Sequence, residues 1–95
     1  TWTKATLPAG QIAVMNLHWV DALSLWVAHI FNDTGNVNQF YSSTDGLSWT
    51  ARTNMSLSFV DPGNFADDGT NIVYVGYNSS GSATLIYSST NGTSW

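Results

Sequence analysis

The chain of 95 residues has the length of one small domain, and it carries two cationic side chains, Lys4 and Arg52, against six aspartates, no glutamate and a net charge of −4. That balance removes the basic footprint that nucleic-acid binding needs. The absence of cysteine excludes a disulfide framework and a thiolate metal site, and no run of about 18 apolar residues is present to span a bilayer.

In chain order, residues 1–7 read as a short edge strand opened by Trp2 and closed by the turn signal Pro8-Ala9-Gly10. Ile12–Val20 is mostly apolar, broken by Asn16 and His18, which predicts a strand buried over most of its surface. Helix competes over residues 13–26. The lack of a capping box and the Trp19-Val20-Asp21 step favour a strand, a turn at residues 21–24 and a second strand over residues 25–31. Asn32-Asp33-Thr34-Gly35-Asn36 is a polar hairpin loop, and Val37–Ser43 is a strand leading into an Asp45-Gly46 turn.

From Trp49 the plan starts again. It predicts a Trp-led strand over residues 49–54, a strand over residues 57–66 interrupted by Asp61-Pro62-Gly63, and a turn at residues 67–70. A strand over residues 72–77, a loop over residues 78–82 and a strand over residues 83–88 then feed an Asn91-Gly92 turn. The repetition is nearly letter for letter at one place: Tyr41-Ser42-Ser43-Thr44-Asp45-Gly46-Leu47-Ser48-Trp49 returns as Tyr87-Ser88-Ser89-Thr90-Asn91-Gly92-Thr93-Ser94-Trp95, and Thr1-Trp2-Thr3 echoes Ser48-Trp49-Thr50. Two units, residues 1–47 and 48–95, each of four short antiparallel strands, carry the signature of propeller-type blades in an all-β protein. The first unit opens with the outer strand of a preceding blade, and the second stops at the start of the next one. A neighbouring blade is then expected to supply or receive that strand.

The repeated segment is a turn held from inside. Gly46 and Gly92 tolerate positive φ, the Asp45 side chain accepts backbone N–H groups as an Asx turn does, and Asn91 preserves that chemistry. Ser43 and Ser89 hydroxyls add bonds of the same kind, and Trp49 and Trp95 offer large apolar surfaces to pack between sheets. In Ser43, Asp45, Gly46 and Trp49 the segment resembles the Asp box, or BNR repeat, of sialidase-like β-propellers, with Asp and Gly adjacent instead of one residue apart. That shortened form is similar to one met in phage-encoded and bacterial surface propellers. The resemblance implies a blade, with the box on its outer edge and away from any active site.

A sialidase-like site, as the resemblance implies it, requires an arginine triad, a tyrosine nucleophile and an acidic partner. This chain has the single arginine Arg52, and Tyr41, Tyr74, Tyr77 and Tyr87 read as core or sheet-face aromatics, so no catalytic residue and no cofactor is assigned. Asp67-Asp68-Gly69-Thr70-Asn71 lacks the spaced ligands of a calcium loop and reads as a turn, and His18 and His29 lie on different strands without a third ligand. Trp2, Trp49 and Trp95 are expected in the inter-blade core, while Trp19 and Trp26 flank a turn where a sugar could stack. Sequons stand at Asn32, Asn54, Asn78 and Asn91. Asn32 and Asn78 occupy the same place in each unit, in loops expected to be exposed. Asn54 comes next as an acceptor, and Asn91 last because it serves a tight turn.

The function expected from all this is a non-catalytic structural or assembly module, glycosylated where the source glycosylates, in an extracellular, cell-surface or virion setting. Its partners would be copies of itself or further blades, joined as a ring, a longer chain or a fibre. A lectin-like carbohydrate-binding module is the alternative, and a fragment of a sialidase-like glycosidase is the second.

Overall fold

A computed structural model describes residues 1–7, 9, 12–57, 60–78 and 83–95. Among these residues seven strands follow one another as β1 (Ile12–Val20), β2 (Leu25–Asn32), β3 (Val37–Ser43), β4 (Thr50–Asn54), β5 (Asp61–Asp67), β6 (Ile72–Asn78) and β7 (Ala83–Ser89). They form two antiparallel meanders, β1-β2-β3-β4 and β5-β6-β7, and neither sheet closes on itself. Among the described residues the helical structure is the single 3-10 turn Asp21–Leu23, and no helix is long and apolar enough to cross a membrane.

The connections carry the turn chemistry expected of them. Ser24 sits in the left-handed region at φ 47° and returns its N–H to the Asp21 carbonyl, closing the turn between β1 and β2. In the β2–β3 hairpin the Asn36 N–H donates to the Asp33 carbonyl, and the Asn32 side-chain oxygen accepts the Thr34 N–H.

Four expectations need correction. Residues 1–7 form no strand; Thr6 alone bridges to Ser48, its N–H donating to the Leu47 carbonyl at 2.8 Å, because the turn after β3 and not a strand lies beside it. Trp2 is fully exposed and belongs to no core. β1 is half-covered at most, since Val14, Leu17 and Trp19 point to a face that no second sheet covers. Asp61-Pro62-Gly63 does not break its strand but lies inside β5, as a register irregularity between Asp61 and Asn64. β5 is an edge strand, which tolerates a proline without an N–H, and a Cβ on Gly63 would stand 1.8 Å from the Val75 carbonyl oxygen. The Trp-led strand β4 pairs with β3 across the first turn, so the first sheet has four strands and the second, among the described residues, has three. Pro8, Gly10 and residues 79–82, parts of an expected turn and an expected loop, and residues 58–59 of the strand expected over residues 57–66 lie outside the described residues.

The main core lies between the sheets, where Val20, Leu25, Val27 and Phe40 of the first meet Phe65, Ile72 and Tyr74 of the second, with Met55 and Val60 of the connecting chain. Phe40 is its centre, edge-on to Tyr74 and Tyr87 at 5.4 and 5.3 Å and stacked on Trp95 at 4.2 Å. A smaller cluster of Ala28, Ile30 and Tyr41, with Ile12 and Trp49 packed on it, lies on the opposite face of the first sheet.

Register shows how the sheets are stacked. Ala28 pairs with Tyr41 in the first sheet and Tyr74 with Tyr87 in the second, and each member is 46 residues from its counterpart. Tyr74 and Tyr87 face the first sheet, whereas Ala28 and Tyr41 face away from the second. The Phe40 face of the first sheet thus lies on the Tyr74–Tyr87 face of the second.

Candidate functional site

Two turns, over residues 43–48 and 89–94, carry nearly the same set of side-chain hydrogen bonds. At the first, the Ser43 hydroxyl accepts the Asp45 and Gly46 N–H groups, and it donates to Asp45 Oδ1, which also accepts the Leu47 and Ser48 N–H groups at 2.8 and 2.9 Å. At the second, Ser89 takes the Asn91 and Gly92 N–H groups, and Asn91 Oδ1 takes those of Thr93 and Ser94 at 2.9 and 3.0 Å. Gly46 and Gly92 adopt φ 74° and 73°. The Ser48 and Leu47 amides, with the Ser43 hydroxyl, hold the Asp45 carboxyl below its ordinary range.

Their surroundings differ. A Cβ on Gly46 would meet only the Trp26 indole at 3.7 Å, whereas one on Gly92 would stand 2.5 Å from Leu25 Cδ2. Trp49 donates its indole N–H to the Gly46 carbonyl and lies half-buried on the Ala28–Ile30–Tyr41 cluster. Trp95 is inserted between the sheets against Phe40 and Phe65. Of the three tryptophans expected in the core, Trp95 lies there, Trp49 on the second cluster and Trp2 in solvent.

Sequence reasoning missed a hydrogen-bonded relay through the main core. Asn38 donates its amide N–H to the Leu57 carbonyl, which leaves Asn38 Oδ1 to accept from His29 Nε2 at 2.8 Å. A neutral imidazole protonated at Nε2 must accept at Nδ1, where the Tyr74 hydroxyl lies 2.6 Å away and itself accepts the Gly63 N–H. The donors run in one direction from Gly63 to Tyr74 to His29 to Asn38 to Leu57. Burial pushes the His29 pKa down, opposed by the bond to Asn38. The signal in the sequence is His29 inside an apolar run; Asn38 does not stand out, because Gln39, Ser42 and Ser43 share its strand.

At the inner edges of the sheets, Asn16 donates its amide to the Gly63 carbonyl, and His18 Nε2 lies 2.6 Å from Asp67 Oδ2. That imidazole, ahead of the Gly69 N–H, lowers the Asp67 pKa. The rest of the acidic stretch is committed to its turn, with Asp68 Oδ1 accepting the Thr70 and Asn71 N–H groups. Among the described residues no three candidate ligands come together around one point.

Trp19 and Trp26 pair across β1 and β2 with ring centroids 5.1 Å apart, and Asp21 accepts the Trp19 indole N–H. Trp19 is 37% exposed and Trp26 is half-buried. The sequon asparagines Asn32 and Asn78 end β2 and β6 at the same register position, paired with Val37 and Ala83. Both are half-buried where exposed loops were expected, because each is the last residue of its strand, and Asn32 also donates to the Ala9 carbonyl. Asn54 is exposed and accepts the Ser56 N–H, and Asn91 is exposed at its turn.

An apolar groove runs over the outer face of the first sheet, lined by Ala5, Leu7, Val14, Leu17, Ile30 and Trp49. The outer face of the second sheet carries Val75, Tyr77 and Ile86, exposed by 43%, 43% and 70%. No family model matches this chain, and neither the curated proteins nor the solved structures give a match.

Proposed function

We propose that the two sheets are propeller-type blades of the Asp-box kind and that the chain is a non-catalytic assembly module of an extracellular, cell-surface or virion structure. One observation carries the reading: two sheets stacked in the same sense end at the same corner in turns with the same hydrogen bonds. A sheet pair stacked head to tail leaves two unlike outer faces, and such contacts propagate into rings or fibres. Both outer faces here are apolar, which marks them as surfaces to be covered. Light scattering of the purified chain is expected to give multiples of 10.3 kDa that grow with concentration. A 10.3 kDa species at every concentration overturns self-assembly. A mass difference before and after enzymatic deglycosylation of source material tests the sequons.

The Trp19–Trp26 pair beside Asp21 favours carbohydrate binding as a second reading, because one ring is open to solvent and a carboxylate stands next to it. Tryptophan fluorescence titrated with neutral oligosaccharides tests it. A saturable change that disappears in Trp19→Ala supports it, and none in the parent chain removes it.

A further inference from the structure

The contact inside the chain shows what should cover its open ends. In that contact Phe40, on the face of the first sheet turned to the second, packs against Tyr74, Tyr87 and Phe65 and stacks on Trp95. The counterpart of Phe40 is Ile86, 46 residues on, which is 70% exposed on the outer face of the second sheet beside Val75, its cross-strand partner. The counterparts of Tyr74, Tyr87 and Trp95 are Ala28, Tyr41 and Trp49. Phe65, which pairs with Tyr74, corresponds to Leu17, which pairs with Ala28. These four line or flank the apolar groove on the other outer face.

We infer that a second copy of this chain docks its Val75–Ile86 face into this groove, with Ile86 seated among Leu17, Ala28, Tyr41 and Trp49. The inference rests on the assembly reading above and names its contact. Complementarity comes from shape and apolarity: Ile86 and Val75 project from their sheet, and the groove lies open over small Ala28 between Leu17 and Trp49. The backbone agrees. β7 is an edge strand with no second partner among the described residues, and its counterpart β3 uses that edge to pair with β4 through Tyr41–Ala51 and Ser42–Thr50. Trp2, Thr3 and Thr6 match Trp49, Thr50 and Thr53, which lead into and open β4. Thr6 already lies beside the first box turn through its bond to Leu47, just as Thr53 lies beside the second, accepting the Trp95 N–H. A docked copy brings its β7 edge alongside residues 3–7 and covers Trp2, which is fully exposed in its own chain.

Head-to-tail docking has a signature that a symmetric contact lacks. Ile86→Glu blocks one face and Leu17→Glu the other, both at exposed positions, so each alone is expected to sediment as a 10.3 kDa monomer. An equimolar mixture restores one good contact and is expected to give a dimer and nothing larger. Retention of the parent oligomer by either variant, or a mixture that stays monomeric, overturns the docking mode while the assembly reading stands. A monomeric parent chain overturns both. The chain has no cysteine, so Ile86→Cys mixed with Leu17→Cys provides a second measurement that adds no buried charge. Mild oxidation is expected to yield the mixed dimer in at least fivefold excess over either homodimer; equal yields overturn the contact.

Discussion

The turns at Asp45-Gly46 and Asn91-Gly92 have the same backbone and nearly the same bonds, yet one is covered and the other is open. Gly92 is pressed by Leu25 and Val27 of the facing sheet, while Gly46 faces a groove where no counterpart of Leu25 has arrived. The local sequence builds the turn, and the neighbouring sheet decides what each atom of it is worth. The same holds for Phe40 and Ile86, equivalent in register, one fully buried and the other largely exposed.

Experiments can separate these two contributions. The largest effect is expected at Phe40, where Phe40→Ala removes the ring that touches both sheets and should cost about 3–5 kcal/mol in urea denaturation. Ile86→Ala, measured on the monomer, should stay within about 0.5 kcal/mol. Gly92→Ala combines positive φ with a steric clash and should cost about 2–4 kcal/mol, against about 1–2 for Gly46→Ala, where only the backbone objects. Equal costs would mean that the facing sheet does not press on the second turn.

The relay comes next. Tyr74→Phe leaves His29 Nδ1 and the Gly63 N–H without their partner and should cost about 1–3 kcal/mol. His29 has a pKa below its ordinary 6.5 when folded, so the unfolded chain binds the extra proton. Stability is therefore complete above pH 6.5 and falls as the pH drops below it, through the folded value. Nitrogen chemical shifts of His29 should report the tautomer protonated at Nε2. The smallest effect is at the first turn: Asp45→Asn copies Asn91 and should leave the melting temperature at pH 7 nearly unchanged. The folded Asp45 pKa is lowered, so its contribution is present above the unfolded value and lost as the pH falls through the folded one. The Asp45→Asn variant would flatten that acid limb, whereas Asp45→Ala should lower the melting temperature at every pH.

Much of the strand order is legible in the sequence. The bounds of β1 and β3, and the turns after Val20 and Ser43, follow from the alternation of strand-forming runs with Asp, Asn and Gly, whereas Asn32, expected in a loop, ends β2. What misleads is reading apolar content as coverage: β1 is apolar enough to be buried, but Val14 and Leu17 face a groove. Ile72-Val73-Tyr74-Val75 is apolar at successive positions, the pattern of a strand covered on both faces, and only its Tyr74 face is covered. Pro62-Gly63 reads as a break because a bulge on an edge strand uses the same residues as a turn. The relay lies beyond local reading, since it joins residues 29, 38, 57, 63 and 74 through two sheets.

The second turn also bears on how this protein ages. In an Asn-Gly pair, the nitrogen of the glycine can attack the side-chain carbonyl carbon, expel ammonia and pass through a cyclic imide to aspartate or isoaspartate. Here the Gly92 N–H is directed at the Ser89 hydroxyl, and the Asn91 oxygen is held by Thr93 and Ser94. Ring closure has to wait for this corner to open, so ammonia loss at Asn91 would count the excursions of the turn like a slow clock. The aspartate product would be harmless, because Asp45 already fills that role one sheet away. The isoaspartate product adds a carbon to the backbone and would break the turn.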